Sequence, residues 1–156
     1  MPRTISLVVY NSRLFPAHWA LWIPSLSDPN CGKRIHAEGD ALTGFVVYFE
    51  RNYNISTTTR THQVIPLAQV LDHYVIDVPG DGTCSRDQTP HDYIEQFALL
   101  IPAPGASLAS ATSSEPRQSV TISNCQTWVR NVVEALVKDG VMDRQALRTI
   151  DTAPKN

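Results

Sequence analysis

The sequence predicts an α+β fold: an antiparallel sheet with a cysteine-bearing helix packed against it. Short β-branched and aliphatic runs bounded by turn residues fill the first half of the chain. A strongly periodic apolar stripe begins at Cys125, and at 156 residues there is chain enough for one domain, residues 1–156, with a real core. No internal repeat or domain boundary interrupts it.

Residues 4–10 read as a first strand ending in the turn chemistry of Asn11-Ser12-Arg13. Residues 17–23, bounded by Pro24, read as a second. Alternation puts His18, Ala20 and Trp22 on one side and Trp19, Leu21 and Ile23 on the other. Both sides are largely apolar, so this strand is expected to be internal, and Trp22 is a candidate to line a pocket on the His18 side. Residues 24–33, rich in Ser, Asp, Pro, Asn and Gly, form the loop of a hairpin. Residues 34–38 follow as a third strand, with Arg34, His36 and Glu38 on one face. Pairing with the second strand would let His18 and His36 face a common site, while Arg34 and Glu38 read as a solvated strand end.

A fourth strand over 43–51, a polar loop over 52–59 and a returning strand over 60–65 read as a further hairpin. Residues 66–70 read as a helical turn, 74–78 as a brief strand and 79–88 as a loop. Thr89-Pro90 looks like an N-cap with proline at the first helical position, opening a helix that Pro102 stops. Residues 106–118 read as a Ser/Ala-rich surface excursion leading to a last strand over 118–122.

Cys125 then opens a helix whose stripe is Trp128, Val129, Val132, Val133, Leu136 and Val137, closed by Lys138 and Gly140. Positions three and four after Cys125 lie on the apolar face, so the sulfur should point inward. A helix N-terminus presents unpaired N–H groups and partial positive charge, which favour a thiolate. By composition alone, however, a helix-start cysteine is most often a packing residue, since a free thiol behaves as a small hydrophobe. A short final helix over 143–150 and a frayed tail after Thr152 complete the chain.

Charge and composition exclude several classes. A formal charge of −2 with no basic run gives no electrostatic case for nucleic acid or an anionic membrane. No apolar stretch approaches the roughly 20 residues of a membrane span, and the N-terminal apolar run is too short for a signal peptide. A soluble, cytoplasmic protein is expected. Cys31, Cys84 and Cys125 are widely spaced with no CxxC, so neither a disulfide framework nor a zinc ribbon is suggested. Two histidines and a cysteine can bind zinc, yet no short paired-ligand spacing is present, and no metal or cofactor is expected. His62, His73 and His91 have polar neighbours and read as surface residues.

The remaining constellation is His18, His36 and Cys125. A thiol that attacks a carbonyl needs a base to take its proton, and the base needs a third group to orient it. His18-Trp19-Ala20-Leu21 on one strand, His36 on the next, and Asn124-Cys125 with Trp128-Val129 opening a helix together resemble the permuted papain-like cysteine enzymes. Within these the resemblance is to lecithin-retinol acyltransferase and the H-Ras-suppressor-like phospholipid acyltransferases, whose order is His-Trp-Ala, a second strand histidine, then Asn-Cys. A similarity to small fungal proteins adds no chemistry. The matching segments cover about a fifth of the chain. The spacing from His18 to His36 is longer than in those enzymes, Gln126-Thr127 replaces their usual Glu-His, and the C-terminal membrane anchor of several relatives is not expected here.

The resemblance implies a permuted papain-like topology with Cys125 as nucleophile, His18 as general base and acid, and His36 as the orienting member. It further implies acyl transfer from an ester, thioester or amide through a covalent thioester, on a small-molecule or carrier-bound acyl substrate. The Cys125 N–H would contribute to an oxyanion hole, and Asn124 and Trp22 are candidates to bind substrate. Two other readings stand beside it. Desumoylating isopeptidases share the His-then-Cys order without the second histidine, and a non-catalytic binding module could retain the fold.

Overall fold

The computed structural model describes residues 2–40, 42–105 and 124–156. Among these, the chain forms six strands and three α-helices: β1 (Arg3–Tyr10), β2 (His18–Pro24), β3 (Cys31–Asp40), β4 (Gly44–Asn54), β5 (His62–Val70), β6 (Ser85–Asp87), α1 (Tyr93–Leu100), α2 (Cys125–Lys138) and α3 (Gln145–Asp151). All strand pairs are antiparallel, in the order β5-β1-β2-β3-β4-β6. The α+β class and the internal position of β2 are as expected. The strand expected over 118–122 lies outside the described residues.

The helices cover one face of the sheet. Ile5, Leu7 and Val9 of β1, Trp19, Leu21 and Ile23 of β2, and Ile35 and Ala37 of β3 share a core with Trp128, Val129, Val132, Val133 and Leu136 of α2. The alternate residues of the same strands point to the opposite face, where Val8, Tyr10, Ala20 and Trp22 form a second, smaller cluster with Tyr53 and Ile55. Trp22 is only 3% exposed there, so it does not line a pocket as anticipated.

Several segments depart from the expected pattern, each for an identifiable reason. The strand after the polar loop does not return to β4: β5 crosses the sheet and pairs with β1, from Tyr10↔His62 to Arg3↔Val70. The residues expected as a helical turn, 66–70, continue β5. Pro66 is tolerated because β5 is an edge strand and the register shifts between Ile5 and Ser6, opposite the proline. The strand expected over 74–78 is instead a 3-10 turn, Asp72–Tyr74, followed by irregular backbone. Side chains satisfy that backbone: Ile76 N–H donates to Asp92 Oδ2 at 3.0 Å, and Lys33 Nζ donates to the Ile76 carbonyl at 2.8 Å. Within the expected loop 79–88, β6 pairs with β4, held by two Arg51–Asp87 hydrogen bonds of 3.1 and 3.0 Å.

The N-cap of α1 is Asp92, which accepts from Glu95 N–H at 2.8 Å, rather than Thr89. Asp92 belongs to a buried charge cluster in which Lys33 bonds Asp92 and Glu95, and Arg51 grips Glu95 through two nitrogens at 2.6 and 2.8 Å. Cys31, expected in a loop, begins β3, where it is half-buried. The tail is also not frayed. The carbonyl of Pro154 accepts from Trp19 Nε1 at 2.9 Å, and that of Lys155 accepts from Ala17 N–H at 2.8 Å and Gln126 Nε2 at 2.9 Å.

Candidate active site

β2 and β3 pair from Pro24↔Gly32 to Leu21↔Ile35, short of His18. The first turn of α2 meets β2 beyond that point. Asn124 is the N-cap, accepting from Gln126 and Thr127 N–H at 3.0 and 3.2 Å, and Thr127 completes a capping box by accepting from Asn124 N–H. Gln126 Nε2 donates to the Ala17 carbonyl at 2.8 Å, pinning this turn to the start of β2. Cys125 is 8% exposed, and its Sγ lies 3.9 Å from the same carbonyl. The inward-pointing sulfur is therefore as expected.

A cavity of about 620 Å³ opens at this end of the sheet. Cys125, Asn124 and His18 line it, with Phe15, Pro16, Ala37 and Phe45 as apolar walls and Glu38, Asp40 and Arg60 as charged ones. The volume is within the range typical of small-molecule sites. Asn124 thus reaches the cavity, whereas Trp22 does not.

The two strand histidines meet. His18 Nε2 lies 2.9 Å from His36 Nδ1, and His36 Nε2 lies 2.7 Å from Glu50 Oε1. Arg34 is not part of a solvated strand end. Its Nη2 donates to Glu50 Oε1 at 2.5 Å and its Nη1 to Tyr10 Oη at 2.8 Å, with its guanidinium 4.1 Å from the Tyr53 ring centroid. Glu38 does sit at the open end, bonded to Arg86. Among the described residues no hydrogen bond joins Cys125 Sγ to His18: they share a cavity, and the thiol rests against backbone.

Burial governs the proton affinities here. It raises the Cys125 thiol above its ordinary range, although the N–H groups of Trp19, Gln126 and Cys125 act in the other direction. The thiolate that the helix N-terminus was expected to favour is opposed by burial, since desolvation of the anion outweighs the N–H groups. Burial, then the proximity of His36, Arg34 and Arg60, holds His18 down to about 3, so it is a neutral imidazole with a lone pair to offer. Burial raises Glu50, but the hydrogen bonds from His36 and Arg34 overcome it and bring the carboxyl to about 2.

His18 accordingly makes stability depend on pH. An unfolded histidine binds a proton near pH ~6.5, whereas the folded one resists until about 3. Its contribution is fully present above pH ~6.5 and is lost as the pH falls toward the folded value. Urea midpoints measured from about pH 7 down to about pH 4 should drop, and the drop should be shallower in His18→Gln. An equal drop in both would remove His18 as its source.

Among the described residues, His36, Glu38 and Glu50 form a group of potential metal ligands whose ligand atoms lie within 4.8 Å of one another. It is a different set from the His-His-Cys combination weighed on sequence. Arg34 on Glu50 and Arg86 on Glu38 already supply the positive charge that an ion would bring. Glu50 was not singled out on sequence. The signal was a lone carboxylate on the non-core face of β4, directly opposite Arg34 in the register.

Fold and site together define an α+β protein with a buried helix-start cysteine sharing a cavity with the first of two hydrogen-bonded strand histidines. The chain belongs to a family of unknown function, DUF6540, whose model matches residues 5–143. No curated protein and no solved structure matches it. Among the described residues, no helix is long and apolar enough to cross a membrane.

Proposed function

We propose that the protein is a cysteine-dependent acyl-transfer enzyme of permuted papain-like topology, a hydrolase or acyltransferase acting through a thioester on Cys125. The observation that carries this reading is the shared cavity: Cys125 and His18 line one pocket, and His18 is oriented by His36 at 2.9 Å. The substrate is a small-molecule or carrier-bound ester, thioester or amide.

His18 Nε2 is committed to His36, so Nδ1 is the nitrogen left to take the thiol proton. The sulfur then attacks the carbonyl carbon. The developing oxyanion is met by N–H groups at the start of α2, Cys125 among them. The C–X bond breaks as the leaving group takes the proton from His18, giving the thioester. Water or an acceptor amine or alcohol, deprotonated by His18, attacks that thioester, and the sulfur leaves as a thiol. A neutral imidazole sharing the cavity of a protonated thiol suits this order, in which ionisation of sulfur accompanies attack.

Intact-mass analysis after incubation with acyl thioesters, esters and activated amides should give an acyl adduct on the native protein and none on Cys125→Ala. An adduct that survives in Cys125→Ala overturns the nucleophile. The raised thiol and the lack of a Sγ–His18 hydrogen bond favour a second reading, a non-catalytic module that retains the fold. Absence of any adduct on the native protein, with Cys125 alkylating no faster than exposed Cys84, would select it. Loss of adduct formation in His36→Ala would count against the isopeptidase version, whose pair lacks that histidine.

A further inference from the structure

A base is useful only when its lone pair is on the nitrogen that meets the thiol, and an imidazole's tautomer is fixed by whatever binds its other nitrogen. Here that chain of partners runs one residue past His36. An ionised carboxylate accepts hydrogen bonds and cannot donate them, so Glu50 Oε1, 2.7 Å from His36 Nε2, requires the hydrogen to be on Nε2. At a pH where both rings are neutral, His36 Nδ1 is then a lone pair. It lies 2.9 Å from His18 Nε2, which must donate to it. The opposite His18 tautomer would set two lone pairs against each other at that distance.

We propose that Glu50 is a positioning residue that sets the tautomer of His18 through His36, leaving His18 Nδ1 unprotonated on the thiol's behalf. The inference rests on the reading of Cys125 and His18 as nucleophile and base. Arg34 is the second part of the device. Its Nη2 donates to the same Glu50 oxygen at 2.5 Å, which keeps the carboxylate ionised and fixes it as an acceptor for His36. Arg34 is itself fixed by Tyr10 Oη at 2.8 Å and by the Tyr53 ring, and Tyr10 Oη lies 2.9 Å from Tyr53 Oη. The whole series projects from neighbouring strands on the sheet face away from the helices, where side-chain positions are set by the strand register.

Long-range proton–nitrogen correlation spectra of the histidine rings, recorded at mildly alkaline pH with His18→Ala and His36→Ala for assignment, test the proposal without substrate. In the native protein both His18 and His36 should carry hydrogen on Nε2 and a lone pair on Nδ1. In Glu50→Met the two rings should redistribute between tautomers, with thioester formation on Cys125 slowed roughly 10- to 100-fold. Glu50→Asp should restore the native tautomers at least in part. Native His18 protonated on Nδ1 overturns the proposal whatever any variant does, and so do native tautomers in a folded Glu50→Met. Native tautomers that depend on Glu50 support it even if no adduct ever forms on Cys125, which would remove only the acyl-transfer reading.

Discussion

Glu95→Ala is expected to lower the stability of the protein by about 3–5 kcal/mol, the cost of removing the central carboxylate of a buried ionic cluster. Glu95 is fully buried. One of its oxygens meets Lys33 Nζ at 2.5 Å and Arg51 Nη1 at 2.6 Å; the other meets Arg51 Nη2 at 2.8 Å and His91 N–H at 3.0 Å. Burial raises its carboxyl, yet Arg51 and Lys33 more than compensate and hold it below the usual range. Truncation would take one carboxylate from two cations, each only 3% exposed, leaving Lys33 to Asp92 and Arg51 to Asp87. Since a domain of this kind has only about 5–15 kcal/mol in hand, the variant should unfold at a much lower urea concentration. The contrast is Arg130–Asp151, whose side chains are 42% and 50% exposed. Removing that pair should cost about 0–1 kcal/mol. A Glu95→Ala midpoint within that smaller range would show that the cluster specifies the docking of α1 without stabilising it.

The second large effect belongs to His18. His18→Ala is expected to slow acylation of Cys125 by about 10²- to 10⁴-fold near neutral pH, the usual contribution of a positioned general base. The reason lies in the thiol: burial raises it, so few molecules carry a thiolate without help. Without the imidazole the proton must go to solvent, and the variant's rate should climb steeply with pH toward the thiol's own raised range. A single-turnover pH series of adduct formation, native against His18→Ala, checks both the size and the slope. A native-like rate and slope in the variant would mean that Cys125 ionises without His18.

The strands and helices most legible in the sequence were those whose own side chains decide their structure. β1, β2 and α2 carry β-branched alternation or an unbroken apolar stripe. Local signals failed where distant residues take over the backbone. Residues 74–78 have strand propensity, but Asp92 and Lys33 occupy the N–H and carbonyl of Ile76 that a ladder would need. Residues 60–65 looked like the return of a hairpin, yet β1 had an unpaired edge and β5 took it. At the site, His18 and His36 were legible because alternation fixes their face and a short connection makes their strands neighbours. Glu50 was not, since its importance comes from standing opposite Arg34, a register that only the folded β3–β4 pair establishes. The thiol's proton affinity was misjudged for a related reason. Helix-end electrostatics can be read locally, whereas the desolvation that overrides it depends on everything packed around Cys125.

The contact of Cys125 with the Ala17 carbonyl spans 108 positions of the chain, and Gln126 reaches the same carbonyl across 109. Closing so long a loop costs entropy that no local interaction returns, so such contacts form late in folding and slowly. The histidine pair, only 18 positions apart, can come together as soon as β2 and β3 zip. A chain still emerging during synthesis would therefore hold the histidine pair before Cys125 has a pocket to enter. The thiol would enter its pocket only when α2 closes over the sheet, so burial of Cys125 is a timestamp for completion of the fold.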